Sequence, residues 1–141
     1  MTRPRTVVAI VAAHSERRRL VRLARLLQFN LRCFTAARDA APFIAAHPVF
    51  ALIVSPLDAA GCPVGPMLAG LRHEAPAVGV VIIVERDPSA PAVLAALRHA
   101  DRVVFGDDLR ATTLWSAVYA ARAARRRVAR DSYTSAPTNR V

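Results

Sequence analysis

Five short, nearly uninterrupted apolar runs, each followed by a longer segment with helical spacing, constrain this chain more than any other feature. Residues 6–12 read TVVAIVA, residues 50–55 FALIVS and residues 78–84 VGVVIIV. Side chains alternate between the two faces of a strand, so a run that is apolar throughout suits a strand buried on both sides. Residues 30–35 (NLRCFT) alternate instead, as a strand nearer a sheet edge would. Residues 101–105 (DRVVF) form a short fifth run.

The intervening segments carry a different period. Ser15 offers an N-cap and Glu16 a negative charge in the first turn, where the helix dipole favours it. Leu20, Leu23, Ala24 and Leu27 follow at helical spacing, which predicts an amphipathic helix over 16–28 with Arg17, Arg18, Arg22 and Arg25 on its other face. An alanine-rich helix runs to Ala46, with Pro42 expected in its first turn and His47-Pro48 as its stop. The three prolines and two glycines of 56–66 predict a loop. Met67, Leu68 and Leu71 pattern a third helix that ends near Pro76. Asp87-Pro88 opens a fourth, with Pro91 in its first turn and Val93, Leu94 and Leu97 facing inward. From Leu109 to about Arg130 a long last helix carries Leu114, Trp115, Val118 and Ala121 on one side. Residues 131–141 are polar and are expected to fray as a tail, leaving one domain over 1–130.

Strands that alternate with helices predict a parallel sheet covered on both faces, because each crossover lays its helix on the sheet. A chain of 141 residues is long enough for one such core, and 54% hydrophobic residues argue for a folded protein. No apolar stretch approaches the ~20 residues of a membrane span. No signal peptide is read at the N-terminus, and a cytoplasmic protein is expected. Cys33 and Cys62 suit that compartment and match no metal-ligand spacing.

The order and lengths of the five units, with the stretches AIVAAHSERRRLVRLARLLQF, FALIVSPLDAAG and LRHADRVVF, resemble the receiver domain of bacterial response regulators over roughly residues 5–128. The resemblance implies a flavodoxin-like, doubly wound five-stranded parallel sheet of order 2-1-3-4-5 with five helices. It also implies where phosphoryl chemistry would reside. The family's acidic pair at the end of the first strand falls on Ala12 and Ala13, and its phospho-accepting aspartate on Ser55. Its switch hydroxyl falls on Val84 and its lysine on Gly106, with Asp107 where a proline commonly follows. Aspartyl phosphorylation needs a carboxylate nucleophile, and Mg²⁺ needs hard oxygen ligands. None of these positions supplies one, and all 20 basic residues are arginine, so no lysine stands elsewhere. Asp58 follows Ser55 by three residues, but Pro56 and the end of the apolar run place it in the loop. A degenerate pseudo-receiver is therefore expected: no metal, no cofactor, and no catalysis.

His14, Ser15 and Ser55 fall near the carboxyl ends of strands, where ligands bind open α/β sheets. A serine nucleophile with His14 as base lacks a G-x-S-x-G elbow and an orienting carboxylate, so Ser15 reads as a cap and His14 as a loop residue. The five glycines form no phosphate cradle, and His73, Glu74 and His99 have no ligand spacing.

Charge is the remaining clue. The net charge of +10 comes almost wholly from the first and last helices: seven arginines against one acid in 16–38, and six against one in 122–141. Between them, five arginines face eight acids. The receiver arrangement would set these two helices side by side, joining Arg17, Arg18, Arg22 and Arg25 to Arg122, Arg125, Arg126, Arg127 and Arg130 in a basic ridge. Such a ridge favours an acidic protein partner, with a nucleic-acid backbone as the alternative. The resemblance also implies a homodimer through the last helix. Trp115 and Tyr119 read as core and rim residues.

Overall fold

The computed structural model describes residues 5–135. Its elements in chain order are β1 (Thr6–Ile10), α1 (His14–Leu27), β2 (Asn30–Phe34), α2 (Ala37–Ala46), β3 (Ala51–Val54) and α3 (Gly65–Glu74). There follow β4 (Gly79–Val84), α4 (Pro91–Leu97), β5 (Arg102–Phe105), a single 3₁₀ turn over Gly106–Asp108 and α5 (Ala111–Ser135). The five strands form one sheet in the order β2-β1-β3-β4-β5, every neighbouring pair parallel. The doubly wound sheet and its strand order are those expected.

Alternation along the strands divides the core. Val7, Ala9 and Val11 point to one face with Ala51, Ile53, Val81 and Ile83, where α1 brings Leu20 and Ala24, and α5 brings Leu114, Val118 and Ala121. Val8, Ile10, Leu52, Val54, Val80 and Ile82 point to the other, against Ala40 and Ile44 of α2, Leu68 and Leu71 of α3 and Ala96 of α4. Each large aliphatic side chain so buried contributes roughly 1.5–3 kcal/mol. β2 and β5 are the edge strands, which explains their mixed sequences and the exposure of Val103.

Several local expectations fail, each for a physical reason. α1 begins at His14 with Ala13 at the N-cap and no side-chain cap bond, so Ser15 lies inside the first turn. Pro42 is in the interior of α2, not its first turn. Its missing N–H removes one helical bond, and its exposed position lets water take the freed carbonyl. α3 starts at Gly65, inside the segment read as loop, and Pro66 occupies its first turn. α4 starts at Pro91; Asp87, with φ of 56°, belongs to the preceding turn. Leu94 is 47% exposed, because it lies about 100° round the helix from the partly buried Val93. Trp115 is 49% exposed, one position and about 100° round the helix from the buried Leu114. α5 continues through residues 131–135, which were expected to fray. Residues 136–141 of the expected tail, and Arg3 at the other end, lie outside the described residues. Among the described residues, no helix is long and apolar enough to cross a membrane.

Candidate functional site

The carboxyl ends of β1, β3, β4 and β5 converge on a cavity of about 400 Å³. Its wall brings together all five positions singled out in the sequence: Ala12, Ala13, Ser55, Val84 and Gly106. They meet because parallel strands in register end at one edge: Ile10 pairs with Val54, and Val84 with Phe105. Pro88, Ala90 and Val93, from the β4–α4 connection and α4, close the far side.

Sequence reasoning missed two residues here. Glu16, read only as a first-turn charge, lines the cavity from α1, and Glu85 lines it from the residue after Val84. Burial against the apolar wall pushes the Glu16 carboxyl above its ordinary value; Arg19 partly offsets this, while Glu85 adds repulsion. The one available signal was that Glu85 directly follows the β4 run. A carboxyl whose folded pKa is raised stabilises the protein fully below its unfolded value near 4.5, and that contribution is lost as pH rises. Glu16→Gln is therefore expected to gain a few tenths of a kcal/mol at pH 7, since much of the group is solvated. In urea titrations the gain should shrink to nothing below pH 4.5; a uniform gain at all pH values would refute this account.

Arg19 does not line the cavity but reaches one of its wall residues. Its Nη1 donates to the Gly106 carbonyl at 3.2 Å and its Nη2 to the Leu109 carbonyl at 2.9 Å, which ties α1 to the β5–α5 connection. Asp58 is buried, but its Oδ1 accepts hydrogen bonds from the backbone of Ala60 and Cys62, each at 3.0 Å, and it does not line the cavity. It holds its own loop. His14 and Ser15 are exposed on α1 and likewise form no part of the cavity wall, so no base faces the Ser55 hydroxyl from them. Among the described residues, no group of three or more His, Cys, Asp or Glu side chains could hold a metal ion. His73 is exposed, and His99 is partly buried before β5.

α1 and α5 do lie against the same face of the sheet. Arg18, Arg22 and Arg25 are exposed on α1, as are Arg126, Arg127 and Arg130 on α5, whereas Arg17 is partly buried. Arg122 and Arg125 leave the expected ridge. Arg122 Nη1 donates to the carbonyls of Val49 and Phe50 at 3.2 and 3.4 Å, and Arg125 Nε to that of Pro76 at 3.1 Å. Both therefore turn toward the amino ends of the strands. Trp115 packs on Tyr119 with its ring tilted by 32° and the centroids 4.6 Å apart, and it presents an exposed aromatic surface on α5.

No protein-family model matches the chain, and no curated protein does. Solved structures do. The signal receiver domain of an HD domain-containing protein from Pseudomonas fluorescens superposes with a TM-score of 0.76 at 17% identity, over 92% of this chain and 95% of that one. A CheY-like response regulator receiver domain protein from Methanospirillum hungatei gives 0.72 at 7% identity, over 89% and 98%. The beryllofluoride-activated NtrC4 receiver domain dimer gives 0.69 at 11% identity, over 85% and 98%. The fold is that of the response-regulator receiver domain, and the cavity lies at its carboxyl edge.

Proposed function

We propose that this chain is a receiver-like signalling module that works through protein–protein contact, without phosphoryl transfer and without catalysis. One observation carries the reading: the cavity at the carboxyl edge is walled by Ala12, Ala13, Ser55, Val84 and Gly106. A phosphoryl acceptor there would need a carboxylate at the tip of β3, and a serine hydroxyl with no adjacent base is a poor nucleophile. The carboxylates that do reach the wall are Glu16, whose charged form is disfavoured by burial, and the exposed Glu85. They come from α1 and the end of β4, and neither replaces the acceptor position.

What remains on the surface is charge. Arg18, Arg22 and Arg25 project from α1 into solvent and suit a partner with an acidic face. Homodimerisation through α5 is the second contact proposed; among similar folds, the NtrC4 receiver domain is a dimer. The alternative, a nucleic-acid-associated regulator, draws on the same exposed arginines. It predicts affinity for random duplex DNA or RNA that falls steeply between low and moderate salt.

Incubation with acetyl phosphate and Mg²⁺, followed by intact-mass measurement, is expected to leave the mass unchanged. A stable gain of one phosphoryl group would sink the phosphorylation-independent reading. Negligible binding of random duplex at low salt would remove the nucleic-acid alternative.

A further inference from the structure

We infer that the opposite end of the sheet, at the amino ends of the strands, carries a site for a small organic anion: an apolar body with an oxyanion head gripped by Arg5 and Arg122. The site is separate from the alanine-lined cavity, and the inference stands whether or not that cavity is inert.

A second cavity, of about 600 Å³, opens at this end between the α2–β3 and α3–β4 connections. That volume falls within the range of small-molecule sites. Its wall includes Ile44, Val49, Phe50 and Val78, with Arg5 entering before β1 and Arg122 from α5. Two guanidiniums converge on one aromatic ring: the Arg5 carbon lies 5.0 Å from the Phe50 centroid and the Arg122 carbon 5.1 Å. Arg5 also lies 6.0 Å from the Tyr119 ring. Burial disfavours the charge of Arg122, and the like charges of Arg126 and Arg5 add repulsion to it.

Nothing among the described residues compensates them with an ion pair. The contrast with the next arginine of α5 is direct, because Arg125 faces the Asp101 carboxylate at 3.9 Å. Arg122 has only the two backbone carbonyls, both taken by Nη1, and its Nε is buried without any acceptor. That Nε is shielded from the cavity, as Arg17 Nε is shielded elsewhere, so the donor left for a ligand is Nη2, which has no acceptor among the described residues. An oxyanion in the cavity would neutralise the pair and accept from the guanidiniums in the forked geometry that arginine offers carboxylates and phosphates.

The other wall residues specify the rest of the ligand. Phe50, Ile44, Val49 and Val78 would cover an apolar body, which a bare inorganic ion lacks. His47 also lines the cavity, but it is already engaged: its ring stacks on Phe43 at 4.0 Å, and Nδ1 lies 3.0 Å from the Phe43 carbonyl. Glu74, exposed at the end of α3, forms no ion pair with either arginine and disfavours a second negative charge at its own side of the opening.

The test is an amide-resolved NMR titration of the full chain with phenyl phosphate, benzoate, inorganic phosphate and benzyl alcohol. Saturable shifts centred on Thr6, Phe50, Val78 and Arg122 are expected with phenyl phosphate or benzoate, and the better of the two identifies the head group. Inorganic phosphate and benzyl alcohol should each bind about tenfold more weakly, lacking body or charge. Arg5→Gln, at the open side, and Arg122→Gln should each weaken binding about tenfold, while Arg98→Gln, just after α4, should not. Should Arg122→Gln fail to fold, Arg5→Gln decides alone. The inference is overturned if neither aromatic anion saturates at millimolar concentration, if benzyl alcohol binds as well as benzoate, or if Arg5→Gln binds like the parent.

Discussion

Gly79→Ala is expected to lower the unfolding free energy by about 3 kcal/mol, the upper end of ordinary overpacking, and the melting temperature by roughly 10 °C. Gly79 opens β4 beneath α5. A Cβ built there would lie 2.5 Å from the Arg122 nitrogen, 2.6 Å from the Ala121 carbonyl carbon and 2.9 Å from the Ala121 Cβ. Two of these are backbone atoms of the helix, so no rotamer change can relieve the contact. Either α5 lifts from the sheet or β4 bends, and both loosen the packing of Val118 and Ala121 on Val81. Because Arg122 would move with the helix, the cavity at this end should deform as well. Gly70, within α3, is the control: a Cβ there meets nothing within 4 Å. Gly70→Ala should instead stabilise by about 0.5–1 kcal/mol through helix propensity. Thermal and urea denaturation of the two variants check the pair of signs; a Gly79→Ala melting point within two or three degrees of the parent would refute the close-approach argument.

Asp101→Ala is expected to cost about 3 kcal/mol, the scale for removing one member of a buried ion pair. Asp101 precedes β5, and its side chain is only 9% exposed. Its Oδ2 accepts the Val80 N–H at 2.8 Å and Arg72 Nη1 at 3.3 Å, while its own N–H donates to the Val80 carbonyl at 2.8 Å. Arg72 also donates to the His99 carbonyl, which anchors the α4–β5 turn. Arg125 approaches from α5. One carboxylate thus joins α3, β4, α5 and the start of β5. Without it, the Val80 N–H loses its side-chain acceptor, and Arg72 and Arg125 face each other uncompensated. Asp101→Asn keeps the shape and an acceptor for Val80, so a smaller loss of about 1–2 kcal/mol is expected. Urea unfolding at neutral pH measures both; equal losses for Ala and Asn would show that charge, rather than the backbone bond, dominates.

Much of this architecture was legible before any coordinates. The runs at 6–12, 50–55 and 78–84 are apolar at nearly every step, as a short strand covered on both faces is, so three central strands and their helical cover followed. The five cavity positions were legible for a related reason. Strand ends can be counted, and parallel strands in register place their ends at one edge.

Local boundary chemistry was less legible. A serine beside a glutamate looks like a cap, yet the backbone of Ala13 turned first and α1 started one residue before Ser15. Proline suggested a helix start at residue 42, but an exposed interior position tolerates the lost bond. Trp115 and Leu94 were read as inward because period alone fixes a face only to within about one residue, or 100°.

Hydrophobic period and run length depend on near neighbours, so strand number, helix order and the lack of an acceptor carboxylate at the tip of β3 could be read along the chain. The convergence of Glu16 with Glu85, of Arg5 with Arg122 on Phe50, and of Arg72 and Arg125 on Asp101 joins residues far apart in sequence. Charged side chains are long and rotatable, and which partner each one reaches depends on how the layers dock. That docking separated the arginines of α5 into those exposed to solvent and those turned toward the amino ends of the strands.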